Sequence, residues 1–226
     1  MASTTAVPPI AADATATEPL RMSYDEYVAW YDREAGQRGE WVDGEVIVFL
    51  ATTFRHERLA MFLGTLLNIV LRRRRRGVVL GSGYELRVRD GSAREPDLMV
   101  VLNEHLDRAT DRRMLGAADL VVEIVSPDSV TRDRRDKLAE YAAAGVPEYW
   151  VIDPREGREA FELFALGDDG YYVTARPDEH GRAHSAVLPG VWFDAAWLTA
   201  DELPDEVELG LAMAETVAST PVDVEQ

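Results

Sequence analysis

The chain contains no cysteine, which excludes a disulfide framework and any thiolate metal site. It is almost without lysine: 23 of its 24 basic residues are arginine, and the only lysine is Lys137. A long apolar run is lacking as well. The longest stretch, residues 60–71, is interrupted by Gly64, Thr65 and Asn68 and is too short to span a bilayer. Residues 1–20 carry no Lys or Arg and no continuous apolar block, so they do not read as a signal peptide. The default expectation is a soluble, cytoplasmic protein with no membrane contact. An excess of positive charge is also missing. The formal net charge of −17 argues against a simple nucleic-acid-binding surface.

What is present is an ordinary globular balance, 46% apolar and 29% charged over 226 residues, enough for one α/β domain with a sizeable core. Much of the negative charge lies at the ends. Asp13, Glu18 and eight acids after residue 200 have no base among them. That leaves 31 acids against 24 bases in residues 19–200, a body near −7 with basic clusters at Arg72–Arg76 and at Arg132, Arg134 and Arg135. The distribution permits a polyanionic partner without indicating one. The expected organisation is a disordered Ala/Thr/Pro-rich tail at 1–18, a body at 19–200 and an acidic tail at 201–226.

Ser23 and Glu26 have the form of a capping box opening a helix over 24–34. Asp43-Gly44 predicts a hairpin between strands at 40–42 and 45–50. Apolar residues at Leu59, Phe62, Leu63, Leu66, Leu67 and Val70 mark a buried helix over 56–74. Strands are expected at 78–81, 84–88, 96–101 and 120–125. A helix from Ser129 to Ala144 and a strand at 148–152 then complete a parallel crossover. A last hairpin pairs 161–165 with 171–175. The architecture predicted is a mixed sheet flanked by helices.

Three signals bear on chemistry. Pro96-Asp97 opens an apolar strand, and Glu123 stands inside Leu-Val-Val-Glu-Ile-Val, where an unpaired carboxylate costs several kcal/mol to bury. Two carboxylates on neighbouring strands make a hard oxygen site suited to Mg²⁺. Alone, Asp97 reads equally as a turn residue and Glu123 as a core carboxylate paired with Arg. The third signal is the lone lysine. Where every other cation is Arg, Lys137 points to a place needing a compact ammonium rather than a planar fork. Its bland alternative is an exposed ion pair with Asp133, one helical turn back.

The runs Gly39-Glu40-Trp41-Val42-Asp43-Gly44-Glu45, Glu95-Pro96-Asp97-Leu98, Val122-Glu123-Ile124-Val125-Ser126-Pro127, Asp136-Lys137-Leu138-Ala139-Glu140-Tyr141 and Gly145-Val146-Pro147-Glu148-Tyr149-Trp150 together resemble the Uma-two family. That family comprises restriction-endonuclease-like proteins of the PD-(D/E)XK superfamily, common in bacteria. The resemblance covers roughly residues 20–200 and implies an α/β, restriction-endonuclease-like mixed β-sheet flanked by α-helices. It implies that Asp97 is the aspartate of the PD element and Glu123 the acid of the (D/E)XK element. Both would hold Mg²⁺ (Mn²⁺ being the alternative), helped by the backbone carbonyl of Ile124. The third position of that element is Val125, not Lys; a lysine relocated onto the following helix would be Lys137. Glu40 resembles a glutamate that assists the metal, and reads equally as a surface strand residue.

The resulting expectation is a metal-dependent endonuclease hydrolysing DNA phosphodiester bonds, with Asp97, Glu123, Lys137 and Glu40 as its catalytic set. Cutting both strands would suit a homodimer. The competing expectation is a catalytically silent nuclease-fold module that binds a protein partner, favoured by the negative charge and disfavoured by the retained Asp97, Glu123 and Lys137. His56, at a helix start, is expected to pack or bond locally, Ser129 to cap a helix, and Arg72–Arg76 to form a solvated helix end.

Overall fold

The computed structural model describes residues 20–33, 38–49, 51–127 and 129–216. The expected tail at 1–18 lies outside them. A short strand β1 (Leu20–Arg21) leads to helix α1 (Tyr24–Arg33). The capping box forms as expected: the Ser23 N–H donates to Glu26 Oε2 at 2.8 Å and the Glu26 N–H to Ser23 Oγ at 3.3 Å. β2 (Gly39–Val42) and β3 (Glu45–Val48) follow around the Asp43-Gly44 turn, where both residues take positive φ. Helix α2 (Phe54–Arg74) is capped by the Thr53 hydroxyl, which accepts from the His56 N–H.

Four strands come next: β4 (Gly77–Gly81), β5 (Glu85–Arg89), β6 (Ser92–Arg94) and β7 (Leu98–Leu102). β8 (Arg113–Leu115) and β9 (Leu120–Ile124) precede helix α3 (Lys137–Ala143), which continues from a single π-helical stretch at Arg132–Asp136. Then come β10 (Glu148–Asp153), β11 (Ala160–Leu166), β12 (Tyr172–Thr174), β13 (Arg182–His184), β14 (Trp192–Asp194) and helix α4 (Glu206–Thr216).

The strands divide between two six-stranded sheets, ordered β1-β3-β2-β6-β5-β8 and β12-β11-β10-β9-β7-β4, plus the β13-β14 pair. The expected single mixed sheet is thus split. The short strands β6 and β8, three residues each, were too brief to show a period, and they are what complete the first sheet. Within the second sheet β9 and β10 run parallel, as the strand–helix–strand pattern requires, while β7 and β11 run antiparallel to their neighbours.

The second sheet is apolar on both faces. Val100, Val122, Trp150 and Ile152 pack with α2 and Met213 of α4. Met99, Val101, Val121, Val125 and Val151 pack with Leu86, Met114 and Tyr141, the last on α3. Alternation along a strand puts Glu123 on the face of Val121 and Val125. The register Leu98↔Val122, continued by one residue, sets Asp97 opposite Glu123. Both acids therefore sit at the end of the sheet that faces α3 and the first sheet.

Residues 206–216, expected within an acidic tail, form α4 instead. Met213 is buried at 1% exposure, and Gly210 brings α4 against Ile69 of α2. Arg74 fixes the helix end by donating to the carbonyls of Met213 and Ala214. The apolar face of α4 was masked in the sequence by the density of acids around it.

Candidate active site

Glu40, Asp97, Glu123 and Lys137 meet in one place. The Lys137 ammonium lies 2.8 Å from Glu123 Oε1, 2.8 Å from Glu40 Oε1 and 3.5 Å from Asp133 Oδ1. It is 2% exposed. The Asp133 pair expected as a solvated contact therefore exists, but it is buried and is the longest of three. A lysine stem is long enough to cross from α3 to strands in both sheets. The π-helical stretch just before it widens the turn that carries Asp133, a feature common where helices carry function.

Val125 explains why the cation comes from a helix. It points to the same face as Glu123 but is 1% exposed within the apolar cluster beneath α3. A lysine there would put its charge in the core, whereas Lys137 reaches the same carboxylate from above.

Asp97 is the more open acid, its side chain 19% exposed. Its Oδ2 accepts the Ile124 N–H at 2.7 Å, which ties the start of β7 to the end of β9. The same oxygen lies 3.3 Å from Nε2 of His56. The helix-start histidine thus sits against one of the groups expected to hold a metal, while its buried Nδ1 makes no hydrogen bond among the described residues and lies 3.7 Å from Glu57 Oε1. Position alone did not distinguish it from a cap residue.

Glu40, expected as a possible surface residue, is fully buried. It accepts from Arg94 at 3.1 Å and from the Glu95 N–H at 3.2 Å, with Arg132 Nε at 3.8 Å. Glu123 also accepts from the Tyr141 hydroxyl at 3.2 Å. Ser129, expected as a cap, turns its hydroxyl elsewhere: it donates to the Asp133 carboxylate and accepts the Ser126 N–H.

The electrostatics follow from one ammonium serving several acids. Burial pushes Glu123 well above the usual carboxylate range; Lys137 opposes this, and the charges of Asp133, Asp97 and Glu40 add to it. Burial raises Asp133 for the same reason. Glu40 goes the other way: burial works against its charge, but Lys137 and Arg94 outweigh it and hold the carboxyl below the usual range. Lys137 stays charged despite burial because Glu123 and Glu40 hold it so. His56 is likewise raised: burial opposes its charge, and Asp97 overrides burial.

Asp97, Glu123, Lys137, His56, Asp133 and Arg132 line a cleft of about 400 Å³, together with Arg38, Ser82 and Glu95, while Glu40 lies outside its lining. Among the described residues no group of three or more His, Asp or Glu is arranged to hold a metal ion. The donor chemistry still fits a hard cation. Two carboxylates suffice for an ion such as Mg²⁺, which keeps most of its waters.

A two-sheet α/β core with acids at one strand end and a lysine on the next helix defines a restriction-endonuclease-like fold. The sequence matches the Uma2 family, described as "Putative restriction endonuclease", over residues 24–199, and the chain belongs to that family. No curated protein matches it. Among solved structures, one described as a putative nuclease belonging to DUF820 from Anabaena variabilis ATCC 29413 is similar with a TM-score of 0.62. The identity is 18%, covering 78% of this chain and 99% of that one, so the likeness is one of fold. Among the described residues, no helix is long and apolar enough to cross a membrane.

Proposed function

We propose that the chain is a metal-dependent endonuclease of the PD-(D/E)XK kind that hydrolyses DNA phosphodiester bonds in this cleft. The observation that carries the reading is the meeting of Asp97, Glu123 and the only lysine at one cleft wall. Asp97 and Glu123, with the Ile124 carbonyl, would hold Mg²⁺ or Mn²⁺. Such an ion supplies Lewis-acid polarisation of the phosphate and a more acidic water.

The chain's own groups do the rest. Lys137 holds Glu40 ionised and opposes the effect of burial on Glu123, and it presents positive charge to the phosphate region, where preorganised charge counts most in the transition state. Glu40 and Asp133 fix the ammonium from the far side, so its position does not have to be found during the reaction. Arg132 adds a second cation to the cleft. Asp97 orders the end of β9 through the Ile124 N–H. Cutting both strands of a duplex would suit a homodimer.

The test is nicking of supercoiled plasmid and degradation of single-stranded DNA with Mg²⁺, with Mn²⁺ and with chelator. Cleavage only in the presence of a divalent ion is the expected result. Cleavage that survives chelation would rule out the metal.

A further inference from the structure

A second cavity of about 260 Å³ shares Glu95 with the cleft. Tyr27, Tyr31, Tyr84 and Glu85 line it as well. Arg38 donates to Ser82 Oγ at 3.2 Å and to Glu95 Oε2 at 3.1 Å. Ser82, Arg38 and Glu95 face the cleft, while Gly83 and Glu95 face the cavity. Glu95, 4% exposed, therefore belongs to both.

We infer that this cavity takes one nucleobase, extruded or single-stranded, from the strand whose phosphate lies in the cleft, and that guanine fits it best; this rests on the nuclease reading. Three features support it. The cavity is slightly smaller than a typical drug-sized ligand pocket, so it has room for a single heterocycle and not for a base pair. Tyr31 and Tyr84, both part-exposed, offer ring faces, the ordinary platform for an unpaired base. Tyr84 is held by the Thr110 carbonyl at 2.6 Å, and Tyr27, buried and bonded to the Gly39 carbonyl at 2.8 Å, backs them from the core.

The third feature is charge. Asp32, Glu85 and Asp111 line the cavity and not the cleft and repel a phosphate, so the occupant enters by its base and leaves its backbone in the cleft. Carboxylates are acceptors only, and they select an edge that carries donors. Guanine presents two adjacent donors on its Watson–Crick edge, N1–H and the N2 amino group. Arg112 pairs with Asp32 at 2.8 Å and Arg113 with Glu85 at 3.7 Å. The Tyr24 hydroxyl also donates to Glu85 Oε1 at 2.7 Å and Arg38 to Glu95 Oε2 at 3.1 Å, so each carboxylate meets a base with its other oxygen. Four lining acids against two arginines keep the sign negative.

The experiment is fluorescence anisotropy of the full chain with short labelled oligothymidylates, in chelator so that nothing is cut. One oligonucleotide is all thymine, one has a single central guanine and one has inosine in its place. The wild type is expected to bind the guanine strand about ten-fold more tightly than the all-thymine strand, with inosine between. Tyr31→Ala is expected to remove about ten-fold of that affinity, the usual scale of one base–aromatic stack, and Tyr31→Phe to keep it. Tyr84→Ala serves as the second variant should Tyr31→Ala melt early. Equal affinity for all three strands, or a guanine preference untouched by both alanine variants, would overturn the cavity assignment. Metal-dependent plasmid cleavage alongside equal affinities would leave the nuclease reading standing alone. A tyrosine-dependent guanine preference without cleavage in any metal would uphold the cavity and sink the nuclease reading.

Discussion

The Glu123 carboxylate is buried beside three other acids and shares one ammonium with two of them. Its raised pKa has a definite consequence for stability. Below the ordinary carboxylate range both the folded and unfolded chains hold the proton. As pH rises above that range the unfolded chain releases it first, so the folded state loses stability until pH passes the raised value. Glu123→Gln does not titrate there. The variant is expected to match wild type in acid and to exceed it near neutral pH, where wild type carries the cost of the raised carboxyl. Urea melts across pH check this; a variant less stable at every pH would contradict it. A divalent ion that binds wild type alone should stabilise it by about 2.7 kcal/mol at a hundred times its Kd, enough to close or reverse the difference.

Lys137 behaves in the opposite sense. An exposed pair with Asp133 would make Lys137→Ala nearly silent, since surface pairs are worth little. Because the ammonium is buried among Glu40, Glu123 and Asp133, its removal leaves buried charges uncompensated. The expected loss is about 3–5 kcal/mol, read from denaturant melts. Adding Glu123→Gln to Lys137→Ala should recover part of that loss, because one uncompensated charge disappears.

At the scale of elements, the long helix α2, the Asp43-Gly44 hairpin and the β9–α3–β10 crossover were legible in the sequence, because each carries a strong local signal. The rest was not. β6 and β8 owe their form to neighbouring strands, and the π-helical stretch has no sequence signature. α4 hides a short apolar stripe among acids. Truncation after Pro204 would remove Met213 from the core and leave Arg74 with only the Pro189 carbonyl of the three it serves. A buried Met contact alone is worth about 2–5 kcal/mol, so the truncated chain is expected to melt well below the full one. An unchanged melting temperature would show that α4 is only loosely attached.

For the molecule as a whole, the charge of −17 has to be reconciled with a polyanionic substrate. The basic run near residue 74 contributes less than its count suggests, because Arg74 caps α4 and Arg76 pairs with Glu104. The α4 result also sets how charge should be tested. Asp205 accepts the N–H groups of Val207 and Glu208 and must be kept, whereas Asp201, Glu202, Glu208 and Glu215 are exposed. Converting these four to amides should strengthen DNA binding at low salt while leaving the fold intact, and binding of both forms should fall with salt. Salt-insensitive binding would point to a protein partner.

The gathering of the candidate residues was partly legible. Asp97, Glu123, Lys137 and Glu40 could be proposed together from strand position, the oddity of a buried acid, the single lysine and the family resemblance. That His56, Asp133 and Arg132 lie beside them could not, because their place depends on how the start of α2 and the π-helical stretch meet the sheet. The most direct test of the assignment is single-turnover cleavage of plasmid DNA in Mg²⁺ by wild type, Glu123→Gln and Lys137→Arg, each verified as folded by its melting curve. Loss of one preorganised charge typically lowers the rate by about 10²–10³, and a loss of that size is expected for both variants. A folded Glu123→Gln or Lys137→Arg protein that cuts at the wild-type rate would contradict it.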